Sequence, residues 1–327
     1  MKNFKITVIG GGTGSFVVLR GLKNYPVDLT AIINVTDSGG STGRLRSEFG
    51  FLPIGDLRQC FAALADDSDD TLIKLLTYRF DRGRGLRGHN LGNLILTGLR
   101  DLYGSEPRAL EKASSIFKIT GRVLPVSLSR ATLGAIYENG KKVLGEHAID
   151  QPEFGGGLQV KGVFLKPEIK VYKGAVNAII NCDMIVLGPG DIYTSTIPCL
   201  LVGGVKTAIK KSKAKICCVV NLMNRYSQTH NFKVSDYRRE IEKYTGRRVD
   251  VVVVNTSKIP KRVMSSYLSE KATIPDDDLR NEGGLTVVRG DFARRSAIAK
   301  ASGDSLSRSF FRHDEDKLAR ALIKILL

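Results

Sequence analysis

The chain predicts an α/β fold built around a doubly wound, mostly parallel sheet. Three observations carry that reading. Short apolar runs rich in Val and Ile alternate with stretches whose apolar residues recur at helical spacing, the pattern of strand–helix–strand units. Several of these runs are apolar throughout, as strands covered on both faces are. The glycines, 34 in 327 residues, gather where a strand gives way to a helix instead of spreading as a linker.

Taken in order, a first strand covers residues 6–9 and runs through glycines into a helix over 15–23, and a second strand covers 29–35. Helical spacing then dominates at 54–64, 71–80, 90–103 and 107–117, which together make a helical segment over about 54–117. From about 121 to 167 the texture turns β-rich. There Asn139-Gly140 is a two-residue hairpin signal between 135–137 and 142–144. Doubly buried strands return at 184–187, 215–220 and 249–254, separated by helices over 197–210 and 234–244. Residues 271–284, with Pro275, three consecutive aspartates and a glycine pair, read as a loop, and 314–327 as an amphipathic helix. The expectation is one Rossmann-like α/β domain over 1–327 with a helical segment and a small β-rich insertion.

Composition bounds the function. Hydrophobic residues at 42% and charged residues at 25% exclude a mainly disordered chain. The apolar run at 4–9 is too short for a signal-peptide core, and no run approaches the roughly 18 residues of a spanning helix, so no membrane span is expected. Cys60, Cys182, Cys199, Cys217 and Cys218 lack CxxC spacing and lie in apolar stretches, which favours buried thiols and a cytoplasmic location. A formal net charge of +17 implies attraction to anions. Arg79, Arg82, Arg84 and Arg87, and Lys206, Lys210, Lys211, Lys213 and Lys215, have no aromatic residues interleaved as a single-strand binder needs. A solvated basic surface or a phosphorylated small-molecule partner is favoured over nucleic acid, and a homodimer stays open.

Three glycine or polar stretches follow strands. Gly10-Gly11-Gly12-Thr13-Gly14-Ser15 opens a helix, where backbone without Cβ atoms can approach a phosphate and the helix N-terminus favours an anion. Asp37 follows the second strand about where a dinucleotide-binding fold places its ribose acid, so a nicotinamide oxidoreductase is an alternative. It leads, however, into a second loop containing Gly39, Gly40, Ser41, Thr42 and Gly43 and ending at Arg44 and Arg46. There amides and hydroxyls could hold a phosphate, Asp37 a metal or a hydroxyl, and an arginine could fork onto oxygens. Asp56, after Pro53, suits the first turn of a helix. His89, Asn90 and Asn93 stand together at a helix entry. Gly188-Pro189-Gly190 precedes the hydroxyls of Thr194 and Ser195, and Asn221 closes the following strand. Together these loops suggest one crevice.

In order along the chain, GGGTGS, VTDSGGSTGRLR, LPIGDLRQ, GHNLGN, GRVLPVS, LGPGDIYTSTIP and VVNLM resemble the YvcK/CofD-like proteins over most of its length. That family has two branches. One comprises gluconeogenesis factors that bind UDP-sugars and affect carbon use and cell shape with no settled reaction. The other is 2-phospho-L-lactate transferase, which moves a nucleotide-activated lactyl phosphate with magnesium. The GGSTGRLR and PxGDLR segments resemble the first branch. The resemblance implies ligand contacts from Gly11, Gly12, Thr13 and Gly14, and magnesium held by Asp37 and Asp56 if it is used. Asn93 falls in its GHxLGN segment, and Tyr267 and Arg312 match positions that contact the nucleotide sugar.

Overall fold

The computed structural model describes residues 3–37, 40–268, 270–294 and 311–327. Its first half holds β1 (Phe4–Gly10), α1 (Gly12–Leu22), β2 (Val27–Ile33), α2 (Gly40–Phe49), α3 (Gly55–Leu64), α4 (Asp70–Thr77), α5 (Leu91–Tyr103), α6 (Glu106–Ile116) and β3 (Arg122–Pro125). There follow β4 (Thr132–Tyr137), β5 (Lys142–Leu144), α7 (Glu146–Asp150), β6 (Val160–Lys166), α8 (Lys173–Ile180) and β7 (Met184–Leu187). A π-type turn (Ile192–Thr196) then leads to α9 (Ile197–Leu201), α10 (Val205–Lys211), β8 (Lys215–Val219), α11 (Val234–Thr245), β9 (Val251–Asn255), α12 (Lys261–Leu268), β10 (Thr286–Gly290) and α13 (Glu315–Leu326).

Seven strands form one parallel sheet in the order β10-β9-β8-β7-β1-β2-β3. Alternate residues of the central strands feed two cores. Ile6 and Val8 of β1, Leu29 and Ala31 of β2, and Met184 and Val186 of β7 pack with α1, α3 and α13. Ile9, Ile32, Ile185 and Leu187 point the other way, towards α8, α9, α10 and α11. A strand buried on both faces needs apolar residues throughout, which is why these runs read without alternation. The α/β, doubly wound expectation holds. β4, β5 and β6 make a separate antiparallel sheet that packs into the second core, and the Asn139-Gly140 hairpin joins β4 to β5 as expected.

Four local differences have physical causes. The helix expected at 15–23 starts at Gly12, whose left-handed φ of +61° only a glycine adopts readily, after an extended Gly11. The stretch read as a loop through Arg46 is helical from Gly40 onward, despite glycine's poor helix propensity. Residues 122–125, expected in the insertion, pair with β2 as the edge strand β3. The helix expected over 197–210 breaks between α9 and α10, where Gly204 adopts φ +102°. All five cysteines are free and buried, and no described helix is long and apolar enough to cross a membrane.

Candidate functional site

The winding of the sheet reverses at β1. The chain runs outward from β1 to β2 and β3, then returns to β7 on β1's other side. Loops leaving β1 and β7 therefore diverge towards opposite faces, and the crevice between them is where open α/β sheets take ligands. Here the two loops touch. A Cβ on Gly14 would overlap the Pro189 carbonyl oxygen and lie 3.0 Å from the Gly190 nitrogen, so only glycine lets the first turn of α1 rest on the 188–190 loop. Gly190 N–H donates to Asn221 Oδ1 at 3.0 Å, which ties the end of β8 to the same place. Asn34, just past β2, joins the rest: its amide donates to the Thr194 carbonyl at 3.0 Å and its backbone N–H to Gly10 O at 3.0 Å.

The two acids converge on this point. A Cβ on Gly11 would strike the Asp56 carboxylate, and one on Gly12 would lie 3.5 Å from Asp56 Oδ1. A Cβ on Gly55 would lie 2.7 Å from Asp37 Oδ2 and collide with Thr42 Oγ1. The first turn of α1 has no acidic residue and Gly11 supplies no side-chain cap, so the positive end of the helix stays available to an anion. Two carboxylates suit magnesium, which commonly takes one or two from the protein and the rest from water and phosphate oxygens. Among the described residues no group of three or more His, Cys, Asp or Glu side chains is placed to hold a metal ion.

The polar residues beside α2 are bonded to one another. Ser41 Oγ pairs with His89 Nδ1 at 3.1 Å and accepts from Asn93 Nδ2 at 3.3 Å. Asn93 Oδ1 accepts from buried Arg58 at 2.9 Å, and Asn90 caps α5 by accepting from Asn93 N–H at 3.3 Å. Burial, then the Arg44 guanidinium, lowers the His89 pKa, with Glu48 opposing. Arg46 is a brace: it donates to the Ala131 carbonyl at 2.8 Å and to the carbonyls of Thr36 and Asp37. Arg44 is exposed and reaches the Arg87 carbonyl at 3.4 Å.

A further wall comes from α7, the π-type turn and the 224–230 loop. Asp191 pairs with Arg225 at 2.7 Å, and Gln228 Nε2 donates to Asp150 Oδ1 at 2.6 Å. Burial, then Asp191, pushes the Asp150 carboxyl up to about 7. Burial first, then Asp37, Asp150, Asp56 and Asp191, drives the Glu146 carboxyl well above the usual range. Their mutual influence puts Glu146 and Asp150 in the same electrostatic field as the two acids of the crevice.

Tyr267 and the 311–314 segment meet in a small apolar cluster at the carboxyl ends of β8, β9 and β10, with Leu222, Met223, Val263, Ala293 and Phe311. The Tyr267 hydroxyl accepts from Phe311 N–H at 3.3 Å. His313 is buried, and burial lowers its pKa to about 4 against a bond to the Val220 backbone. An unfolded histidine near 6.5 binds protons that the buried one refuses. Its contribution is therefore present above pH 6.5 and lost as pH falls towards 4, up to about 3 kcal/mol. Urea unfolding of His313→Phe and of the parent chain, compared from pH 7 to pH 4, is expected to show the parent losing stability over that interval relative to the variant. Parallel curves would contradict it.

Of the residues singled out in the sequence, Gly11, Gly12, Gly14, Asp37, Thr42, Asp56, Gly188, Gly190, Thr194 and Asn221 come together around β1. Thr13 reaches Gln59 at 3.5 Å and Ser195 stands in the π-type turn. Ser41, His89, Asn90 and Asn93 form the adjoining network, while Arg44 lies outward on α2. Gly39 lies outside the described residues. Sequence reasoning missed Asn34, Glu146, Asp150, Asp191, Arg225 and Gln228. Asn34 follows an apolar strand as Asn221 does, so the same signal was present.

The 2-phospho-L-lactate transferase CofD family matches residues 6–293. The gluconeogenesis factor of Bacillus subtilis is 36% identical over 326 residues, covering 98% of both chains. That of Halalkalibacterium halodurans is 40% identical over 274 residues, 83% of this chain and 84% of its own. A crystal structure of a UPF0052 family member from Bacillus halodurans superposes with a TM-score of 0.88 at 36% identity, covering 99% of each chain.

Proposed function

We propose that this chain, which belongs to the 2-phospho-L-lactate transferase CofD family, binds a nucleotide sugar of the UDP-sugar class in the β1/β7 crevice and acts as a ligand-responsive gluconeogenesis factor. The observation that carries the reading is the seating of the α1 N-terminus on the 188–190 loop, with Asp37 and Asp56 facing the same space. Backbone amides at a helix start favour a diphosphate. Where magnesium accompanies the diphosphate, Asp37 and Asp56 are the carboxylates that would hold it. That pair also favours a second reading, a metal-assisted transferase acting on a nucleotide-activated phosphate. A nicotinamide enzyme is disfavoured: Asn34 directly follows β2 and is bonded to Gly10 and Thr194, while Asp37 is turned to Gly55.

A thermal-shift series separates these readings. A ligand at a hundred times its Kd adds about 2.7 kcal/mol to the native state. UDP-sugars are expected to raise the melting temperature in a dose-dependent way, and NAD to leave it unchanged. A shift with NAD alone would overturn the proposal, and a shift with GDP but not UDP-sugars would favour the transferase.

A further inference from the structure

The wall contributed by α7, the π-type turn and the 224–230 loop holds buried polar atoms without partners. Thr194 and Gln228 are each 1% exposed, yet Thr194 Oγ1 and Gln228 Oε1 are buried and make no hydrogen bond. Glu146 Oε2 is buried in the same condition. Such atoms are rare in folded proteins, because leaving a buried donor or acceptor unbonded costs its lost hydration. Here three come from three segments that pack together: α7 lies against the π-type turn, Gln228 bonds Asp150 of α7, and Thr194 is tied to Asn34 beside the crevice.

Two of the three residues are tied down by other bonds. The Thr194 carbonyl is fixed by the Asn34 amide, and Gln228 is oriented by its Nε2 bond to Asp150, which leaves the amide oxygen free to turn only a little. Glu146 stands one helical turn before Asp150 on α7 and feels Asp37, Asp56 and Asp191.

We propose that Glu146, Thr194 and Gln228 form the subsite that reads the hydroxyl groups of the ligand's sugar, while the glycine loops take its diphosphate. The proposal rests on the nucleotide-sugar reading above and adds the residues that distinguish sugar from bare nucleotide. The chemistry disfavours a second phosphate here: Asp150 and Asp191 are acidic, and the nearby Arg225 is already paired with Asp191 at 2.7 Å. An amide oxygen, a hydroxyl and a carboxyl are the groups that bond ring hydroxyls, which both donate and accept. Burial and its acidic neighbours favour the protonated form of Glu146, which offers a donor as well as an acceptor.

The test is calorimetric titration of UDP-glucose and of UDP into the parent chain, Thr194→Val and Gln228→Met, with urea unfolding of each. Each variant is expected to bind UDP-glucose about tenfold more weakly, the loss of one net hydrogen bond, while binding UDP as the parent does. Thr194→Val is expected to keep or raise the unfolding midpoint, because the hydroxyl it removes has no bonded partner to orphan. It decides the matter should Gln228→Met fail to fold. Unchanged UDP-glucose affinity in the variants means that these atoms meet only water and overturns the proposal. Equal losses for UDP and UDP-glucose also overturn it. If the parent binds UDP and UDP-glucose equally well, the subsite falls while the nucleotide site stands; if it binds neither, the nucleotide-sugar reading falls as well.

Discussion

Gly14→Ala is expected to abolish ligand binding and to cost about 3 kcal/mol of stability, the upper end of the usual penalty for overpacking. The added methyl would overlap the Pro189 carbonyl oxygen and press on the Gly190 nitrogen. Both are backbone atoms, so no rotamer change relieves the clash. Either the first turn of α1 lifts away or the 188–190 loop moves, and each movement takes the helix N-terminus out of register with Asp37 and Asp56. Gly98→Ala in α5 is the control: nothing lies within 4 Å of the added methyl. Removing glycine from a helix interior there should stabilise by up to about 1 kcal/mol. Urea denaturation and calorimetric titration of both variants check this, and a Gly14→Ala protein that binds normally would refute the contact's role.

Arg312→Ala is expected to weaken nucleotide-sugar binding about tenfold to a hundredfold, the loss of a charge-assisted contact to phosphate, with little change in unfolding midpoint. Backbone bonds hold the segment around Arg312. Phe311 N–H donates to the Tyr267 hydroxyl at 3.3 Å, Arg294 N–H to the Arg312 carbonyl at 2.9 Å, and Asp314 N–H to the Phe292 carbonyl at 2.7 Å. His313, bonded to the Val220 backbone, brings the segment to the end of β8, one residue from Asn221. If the variant binds normally while its midpoint drops, the arginine is structural.

The central strands were legible because burial on both faces demands apolar residues throughout, and β7, β8 and β9 carry little else. β10 was not legible: it is an edge strand whose Thr286 and Arg289 are exposed. α2 escaped because Gly40 and Gly43 argue locally for a loop, whereas its helix is supported by long-range bonds from Ser41 to His89 and Asn93. The site was legible where glycines mark close approach and hidden where it depends on distant segments. Glu146 and Asp150 sit in a stretch that reads as a separate β-rich insertion. Nothing in their spacing announces that α7 packs beside the π-type turn and faces Asp37 and Asp56.

The most direct test of the shared crevice is a crystal structure of the protein with a bound UDP-sugar. The expected result places the diphosphate within hydrogen-bonding distance of the backbone N–H groups of residues 12–14, with the 188–190 loop on its other side. A UDP-sugar seated elsewhere, with the α1 N-terminus untouched, would contradict the account.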